Sequence, residues 1–480
     1  MKKSLVYLAA LLLLLADLGY SFRQHYSQTL DGDMPGGIVP ARDVGPVLSS
    51  PLGIKALSGG QPYPNPNRFF SHWTFYQYFN HVPFILQKFV NPIDSLYLAS
   101  AIAKTIIQLM IIYLLAMAIS GSGNLRSFNF IIAAVLIAPL FQTNGYQRFM
   151  GIIDASTTYT FFYAMPVALL MLYFTPLFRQ YYHGIKPVYP LVINILWIPL
   201  ALVCSLSGPL NPGVAIIISL LIFCVFIGTN YSGRIHKNPF RGIKDALLKV
   251  PQRYWLLVVP VALFSAYSLY LGTFNSISYK FNHPLGELYQ RLPKGIIDQL
   301  SFRTGLPYLL ILIILNGLLI FFYKKNDEGK RILKLFKWTG TFILAYILLL
   351  PLGGYRNYRP DILRFDTILP VTLALIFIYG ISTFFLLRNM SKKQSYWYIP
   401  LILIFLIKFT YEDRPRFNKN ECERSALEEI SASQDPVIKI HSKCTVLSWK
   451  KIAKPGDSEL GAEFLYRMNI TREKKLYYNE

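Results

Sequence analysis

Residues 30–37 read Leu-Asp-Gly-Asp-Met-Pro-Gly-Gly, a pair of carboxylates one residue apart in a Gly/Pro-rich turn. Carboxylates so placed can take a proton from a hydroxyl or together hold a divalent cation such as Mg²⁺ or Mn²⁺. In an extended chain Asp31 and Asp33 face opposite sides, but a turn at Gly32 and at Gly36-Gly37 lets both converge on one cation or hydroxyl. A solvated Asp-Gly turn has the same spelling. What raises the pair above that reading is its place, a few residues beyond the first apolar segment, where the chain first leaves the membrane. Asp154, in Gly-Ile-Ile-Asp-Ala-Ser-Thr-Thr-Tyr over 151–159, is a third candidate carboxylate and equally a candidate cap for the helix that follows.

The second unusual element is 353–366, which carries Arg356, Arg359 and Arg364 interleaved with Tyr355 and Tyr358. Guanidinium forks bind phosphate oxygens bidentately, so this stretch suits an anionic phosphate. The competing reading is an internal ion-pair network with Asp361 and Asp366. Arg303, Lys280, Lys294 and His283 in the preceding connection could extend a phosphate site, and each also reads as a solvated or headgroup-facing charge. His72 and His81 lack metal-ligand spacing and read as interfacial packers.

The elements that must position these residues span a bilayer. Of 480 residues, 53% are hydrophobic and only 15% charged, too apolar for a soluble globular chain. The net charge of +23 does not point to nucleic acid, because Lys and Arg fall in short clusters between apolar runs instead of on one basic face. About eleven runs approach the roughly 17–25 residues that cross a hydrocarbon core, at 4–20, 96–120, 128–141, 160–178, 188–207, 213–231, 254–273, 305–323, 338–352, 367–387 and 398–410. With a cytoplasmic amino terminus, the even-numbered connections hold the dense basic clusters, as the positive-inside rule requires. The first run, preceded by Lys2 and Lys3, reads as a span, with a cleaved signal peptide as the alternative.

That orientation puts 22–95, 142–159, 208–212, 274–304, 353–366 and the tail from 411 outside. In the first of these, Phe69, Trp73, Tyr76, Phe79, Pro83, Phe84 and Leu86 predict helices lying in the interface plane. Cys422 and Cys444 fall in the tail, where an oxidising compartment would pair them, with two reduced thiols as the alternative; Cys204 and Cys224 lie within spans. Short β-type runs at 436–441 and 445–449 and a helical stretch at 424–430 predict a small α+β unit. The expectation is an all-α polytopic membrane protein: a transmembrane domain over 1–410, with 22–95 as its first outer loop, and a small α+β extracytoplasmic domain over 411–480. The short spans and lysine-rich inner loops suggest a bacterial inner membrane, with the carboxyl-terminal domain periplasmic.

An inward amino terminus, a long first outer loop opening on an Asp-x-Asp-type turn, interfacial helices, about a dozen spans and an outer carboxyl-terminal domain together resemble the GT-C superfamily of integral membrane glycosyltransferases. The resemblance implies a glycosyltransferase, hexosyl or pentosyl, that depends on a sugar carried by a polyprenyl phosphate and uses a glycan, lipid or protein acceptor. It implies Asp31 and Asp33 as base or metal ligands, with Asp154 a looser match. The arginine stretch, by its chemistry, would hold the phosphate leaving group. The tail has no signature like Trp-Trp-Asp-Tyr-Gly, which argues against an oligosaccharyltransferase role. Two rival readings are a lipid-linked glycan polymerase or ligase, and a transporter or flippase; the latter expects ionisable residues near the membrane midplane, for which Lys104 and Asp17 are the candidates.

Overall fold

The computed structural model describes residues 2–40, 43–59, 62–143, 150–185, 191–231, 239–279, 284–301, 305–324, 326–353 and 361–479. Long apolar runs have to satisfy their backbone polar groups internally in lipid, and they do so as helices. Among the described residues, eight helices are long and apolar enough to cross a membrane: Ser4–Tyr26, Pro92–Ser120, Thr157–His183, Asn211–Asn230, Gln252–Gly272, Gly305–Tyr323, Asp327–Gly353 and Leu369–Asn389. The other three expected spans are also helical. Phe128–Leu140 and Ile195–Ser205 are short, and Lys392–Glu412 carries Lys392, Lys393, Lys408 and Glu412, which lower its apolarity. The expected span at 338–352 starts earlier, at Asp327, because Asn326 caps the helix by accepting from the Gly329 N–H at 2.7 Å.

One buried apolar core runs through these helices, and a second lies at the end where the acidic turn sits. The second core is shared: Leu30, Met34 and Ile38 after the first span, Phe75 and Phe79 of the Phe69–Phe79 helix, Leu96 and Phe161 at the ends of spans, and Leu427, Ile440 and Phe464 of the tail all contribute. The first loop therefore folds as a layer between the spans and the tail. Trp73, Ile85 and Phe89 of that layer stay exposed.

The tail has a Glu421–Ala432 helix, a Glu459–Arg467 helix and two parallel strands, Val437–Ile440 and Leu476–Asn479, in register Val437↔Leu476. The strand expected at 445–449 is absent. Leu447 sits at φ +48, a left-handed conformation no strand accommodates, and the strand partner comes from the far end of the chain instead. Cys422 and Cys444 form a disulfide. The three consecutive residues Cys422, Glu423 and Arg424 work together as a clamp. The buried Glu423 accepts from the Leu30 N–H and the Tyr97 hydroxyl, both at 2.8 Å, and Arg424 pairs with Asp94 while its guanidinium lies 4.0 Å from the Tyr97 ring centroid.

Candidate functional site

The helix Pro92–Ser120 turns a polar stripe inward. Tyr97, Ser100, Lys104 and Gln108, spaced three to four residues apart, are all buried on one face. Tyr97 reaches Glu423, and Gln108 bonds His25 at 2.9 Å and the Ser21 hydroxyl at 3.1 Å. Lys104, 0% exposed, donates from Nζ to the Ala155 carbonyl. The loop 150–156 is thereby tied to a lysine from within the bundle.

That loop and the following helix gather the site. Asp154, 6% exposed, accepts from the Ser156 N–H at 2.7 Å. The helix cap is Ser156, whose hydroxyl accepts from the Tyr159 N–H at 3.2 Å, so Asp154 is not spent on capping. Thr158 holds Asp31 from two directions, its N–H on Oδ2 at 3.0 Å and its hydroxyl on Oδ1 at 2.7 Å. Just beyond, Thr160–Ala164 forms a π-turn, a widening of the helix that often marks functional sites.

Asp31, 5% exposed, and Asp33 have different partners. The Asp33 N–H closes a turn on Asp31 Oδ1 at 3.2 Å, while the Asp33 carboxylate is exposed and accepts from the Trp449 indole N–H at 3.0 Å. Trp449 comes from the tail, its ring 5.8 Å from that of Tyr159. Gly32 permits this closure, since a Cβ there would meet the Trp449 backbone nitrogen at 2.5 Å.

Asp31, Asp366 and Lys104 all act electrostatically on Asp154, and Lys419 of the tail feels the Asp154 charge. Burial pushes the Asp154 carboxyl above the usual carboxylate range, while the Ser156 N–H and the Lys104 ammonium oppose the rise. Asp366 is bound by Arg364 through a fork, Nε to Oδ1 at 2.9 Å and Nη2 to Oδ2 at 3.0 Å. Gly151, at φ +65, packs over Phe365 and brings the two loops together.

Of the residues expected from sequence, the structure thus gathers Asp31, Asp154 and Arg364 at one end of the bundle, with Asp33 at the rim. Arg303, Tyr355, Arg356, Tyr358 and Arg359, together with Lys280 and His283, lie outside the described residues. His72 is buried edge-on to Phe162 at 4.6 Å, which pushes its pKa down to about 3, and His81 bonds the Gln77 carbonyl. Thr158, Lys419, Glu423 and Trp449 were not foreseeable, because each is an ordinary residue made important by a distant partner. Lys104 did leave a signal: a lone cation within an apolar run.

Among the described residues no three His, Cys, Asp or Glu side chains form a set that could hold a metal ion. Asp31 accepts three hydrogen bonds from N–H and O–H donors, two on Oδ1 and one on Oδ2, and the neighbouring positive charge is an ammonium. The described donor set does not fit a divalent cation.

Among the spans lies an apolar cavity of about 370 Å³, lined by residues that include Val167, Phe174, Val214, Ile218, Trp338 and Phe377. Its lining on the Thr157–His183 helix runs from Val167 to Tyr181, about 20 Å at 1.5 Å per residue.

No protein-family model matches this chain, and no curated protein does. Among solved structures it is similar to the oligosaccharyltransferase of Archaeoglobus fulgidus complexed with Zn and sulfate, at 13% identity and a TM-score of 0.38, covering 88% of this chain and 56% of that one. The same enzyme tethered to an acceptor peptide containing an NVT sequon gives 12% identity and a TM-score of 0.38, covering 88% and 57%. The archaeal oligosaccharyltransferase AglB from Archaeoglobus fulgidus, with an inhibitory peptide and a dolichol-phosphate, gives 11% identity and a TM-score of 0.36, covering 89% and 58%. The chain spans little more than half the length of these structures, and likeness at this level carries no argument about its activity.

Proposed function

We propose that this chain is a membrane glycosyltransferase of the GT-C type, moving a single sugar from a polyprenyl-phosphate donor to an acceptor hydroxyl on the extracytoplasmic face. The observation that carries this reading is the convergence at Asp31. A carboxylate from the first loop is oriented by Thr158 of the second, beside Asp154 and Lys104, with Asp33 and Trp449 at an open rim.

The chemistry follows from that geometry. Asp31 Oδ2 accepts one hydrogen bond, from the Thr158 N–H, and keeps a lone pair for the proton of an acceptor hydroxyl. Thr158 fixes the carboxylate so that no reorientation is needed when the proton moves. As the oxygen of the acceptor bonds to the anomeric carbon, the bond from that carbon to the phosphate oxygen breaks and the lipid phosphate leaves. Phosphate is a good leaving group, so positioning and charge compensation carry much of the barrier. Arg356 and Arg359 are assigned to that charge, with Arg364 held to Asp366 beside them in sequence. The apolar cavity suits the isoprenoid chain of the carrier.

The test is a deletion strain whose envelope glycans and lipid-linked sugars are profiled by mass spectrometry. Deletion is expected to remove one sugar from an envelope glycan and to accumulate its lipid-linked donor, and a well-inserted Asp31→Asn protein is expected to leave both unrepaired. Full repair by Asp31→Asn would remove the catalytic assignment, and unchanged profiles on deletion would overturn the function.

A further inference from the structure

Two carboxylates under a tenth exposed, Asp31 and Asp154, lie in one loop cluster of a membrane protein. Withdrawing an unpaired carboxylate from water costs several kcal/mol, and a lysine placed in an apolar helix is costly as well. Hydrogen bonds from Thr158, Asp33 and Ser156 meet part of that cost, and the opposite charge offsets the rest. Lys104 lies twelve residues into the Pro92–Ser120 helix, fully buried, with Nζ donating to the carbonyl of Ala155. That carbonyl sits between Asp154 and Ser156, and Thr158, three residues on, holds Asp31. The ammonium is therefore delivered to the loop that carries one carboxylate and clamps the other, and both attract it.

We propose that Lys104 is the resident cation of this centre, filling the charge-compensating place that a divalent metal would occupy between the first-loop and second-loop carboxylates. It is a positioning residue: it sets the charge and orientation of Asp154 and Asp31 and anchors the loop through Ala155. A divalent ion entering the wild-type centre would meet an ammonium it has to displace, so the carboxylates act on substrate without one. The inference concerns the charge balance of the centre and stands whether or not a sugar is the group transferred.

The experiment uses the full chain in lipid nanodiscs, with Mn²⁺ alone as the probe and electron paramagnetic resonance as the readout. Wild-type protein is expected to bind no Mn²⁺ that depends on Asp154, whereas Lys104→Met, which removes the ammonium and keeps the carboxylates, gains a Mn²⁺ site that Lys104→Met/Asp154→Asn loses. Mn²⁺ bound to the wild type and released by Asp154→Asn overturns the proposal. So does a Lys104→Met protein that melts like the wild type and gains no site. Melting provides a second arm should Lys104→Met be too unstable to probe. Neutralising the partner in Lys104→Met/Asp154→Asn is expected to recover more than half of the lost melting temperature, and simple addition of the two single losses overturns the pairing.

Discussion

Lys104 and Lys330 both sit on long, largely apolar helices, and their surroundings are opposite. Lys104 is 0% exposed, donates to a loop carbonyl and is attracted by two carboxylates brought from elsewhere in the chain. The Lys330 side chain is 61% exposed and pairs at 3.4 Å with Asp327, three residues away on its own helix. The same contrast separates the two ends of the bundle. The end with the acidic turn gathers buried Asp31, Asp154, Asp366 and Glu423 with Lys104 and Arg364. The other end carries its cations on exposed helix starts, as at Lys392 and Lys393. Basic residues at one end report how the chain sits in a membrane, while charges at the other form a built centre.

The largest expected effect is at the acidic turn itself. Asp31→Asn should reduce sugar transfer by about 10²–10⁴, the usual contribution of a general base, while Asp33→Asn, at the rim, stays within about tenfold. Equal losses in a transfer assay on well-folded variants would erase the distinction between the buried and the exposed carboxylate.

The next effect is on the clamp. Replacing Cys422 and Cys444 together with Ser should cost about 2–4 kcal/mol and lower the melting temperature. It should also lower activity, because the released segment carries Trp449 away from Asp33. Wild-type melting in the double variant would show that the tail is held without the disulfide, by contacts such as those of Glu423, Arg424 and Asn420.

Glu423 gives a pH-dependent test. Burial pushes its carboxyl from the ordinary 4.5 up to about 7, against hydrogen bonds from Leu30, Tyr97 and Leu447 that favour the ionised form. An acid whose folded value is raised keeps its proton longer when folded. The stability it contributes is therefore complete below about 4.5 and is lost as pH rises through about 7. The melting temperature of the wild type should fall across that window relative to Glu423→Gln, which has no proton to lose; parallel curves would refute it. The smallest effect is expected at the opposite end, where Lys330→Ala should change stability by less than about 0.5 kcal/mol, as exposed pairs do.

Much of this architecture was legible in the chain. All eleven apolar runs are helical among the described residues because lipid leaves the backbone no other way to satisfy its polar groups, and the patterns at 424–430 and 436–441 marked the tail helix Glu421–Ala432 and the strand Val437–Ile440. The second strand was missed at 445–449 because a β-type run cannot report that a disulfide and the Glu423 carboxylate will hold it in another shape. Asp31 and Asp154 stood out as carboxylates beside apolar segments, but nothing near Asp31 announced Thr158, which lies 127 residues away.

Composition and spacing alone therefore determined that the chain is a helical membrane protein, which end of each span is basic, and which few polar residues interrupt the apolar runs. Those properties are local, read one helix at a time against the bilayer. Only the tertiary structure decided that Asp31 is gripped by Thr158 while Asp33 turns to Trp449, and that Lys104 meets the Asp154 loop. These pairings join residues dozens to hundreds of positions apart, and the buried ones form because a charge withdrawn from water must find its partner wherever the packed helices place one.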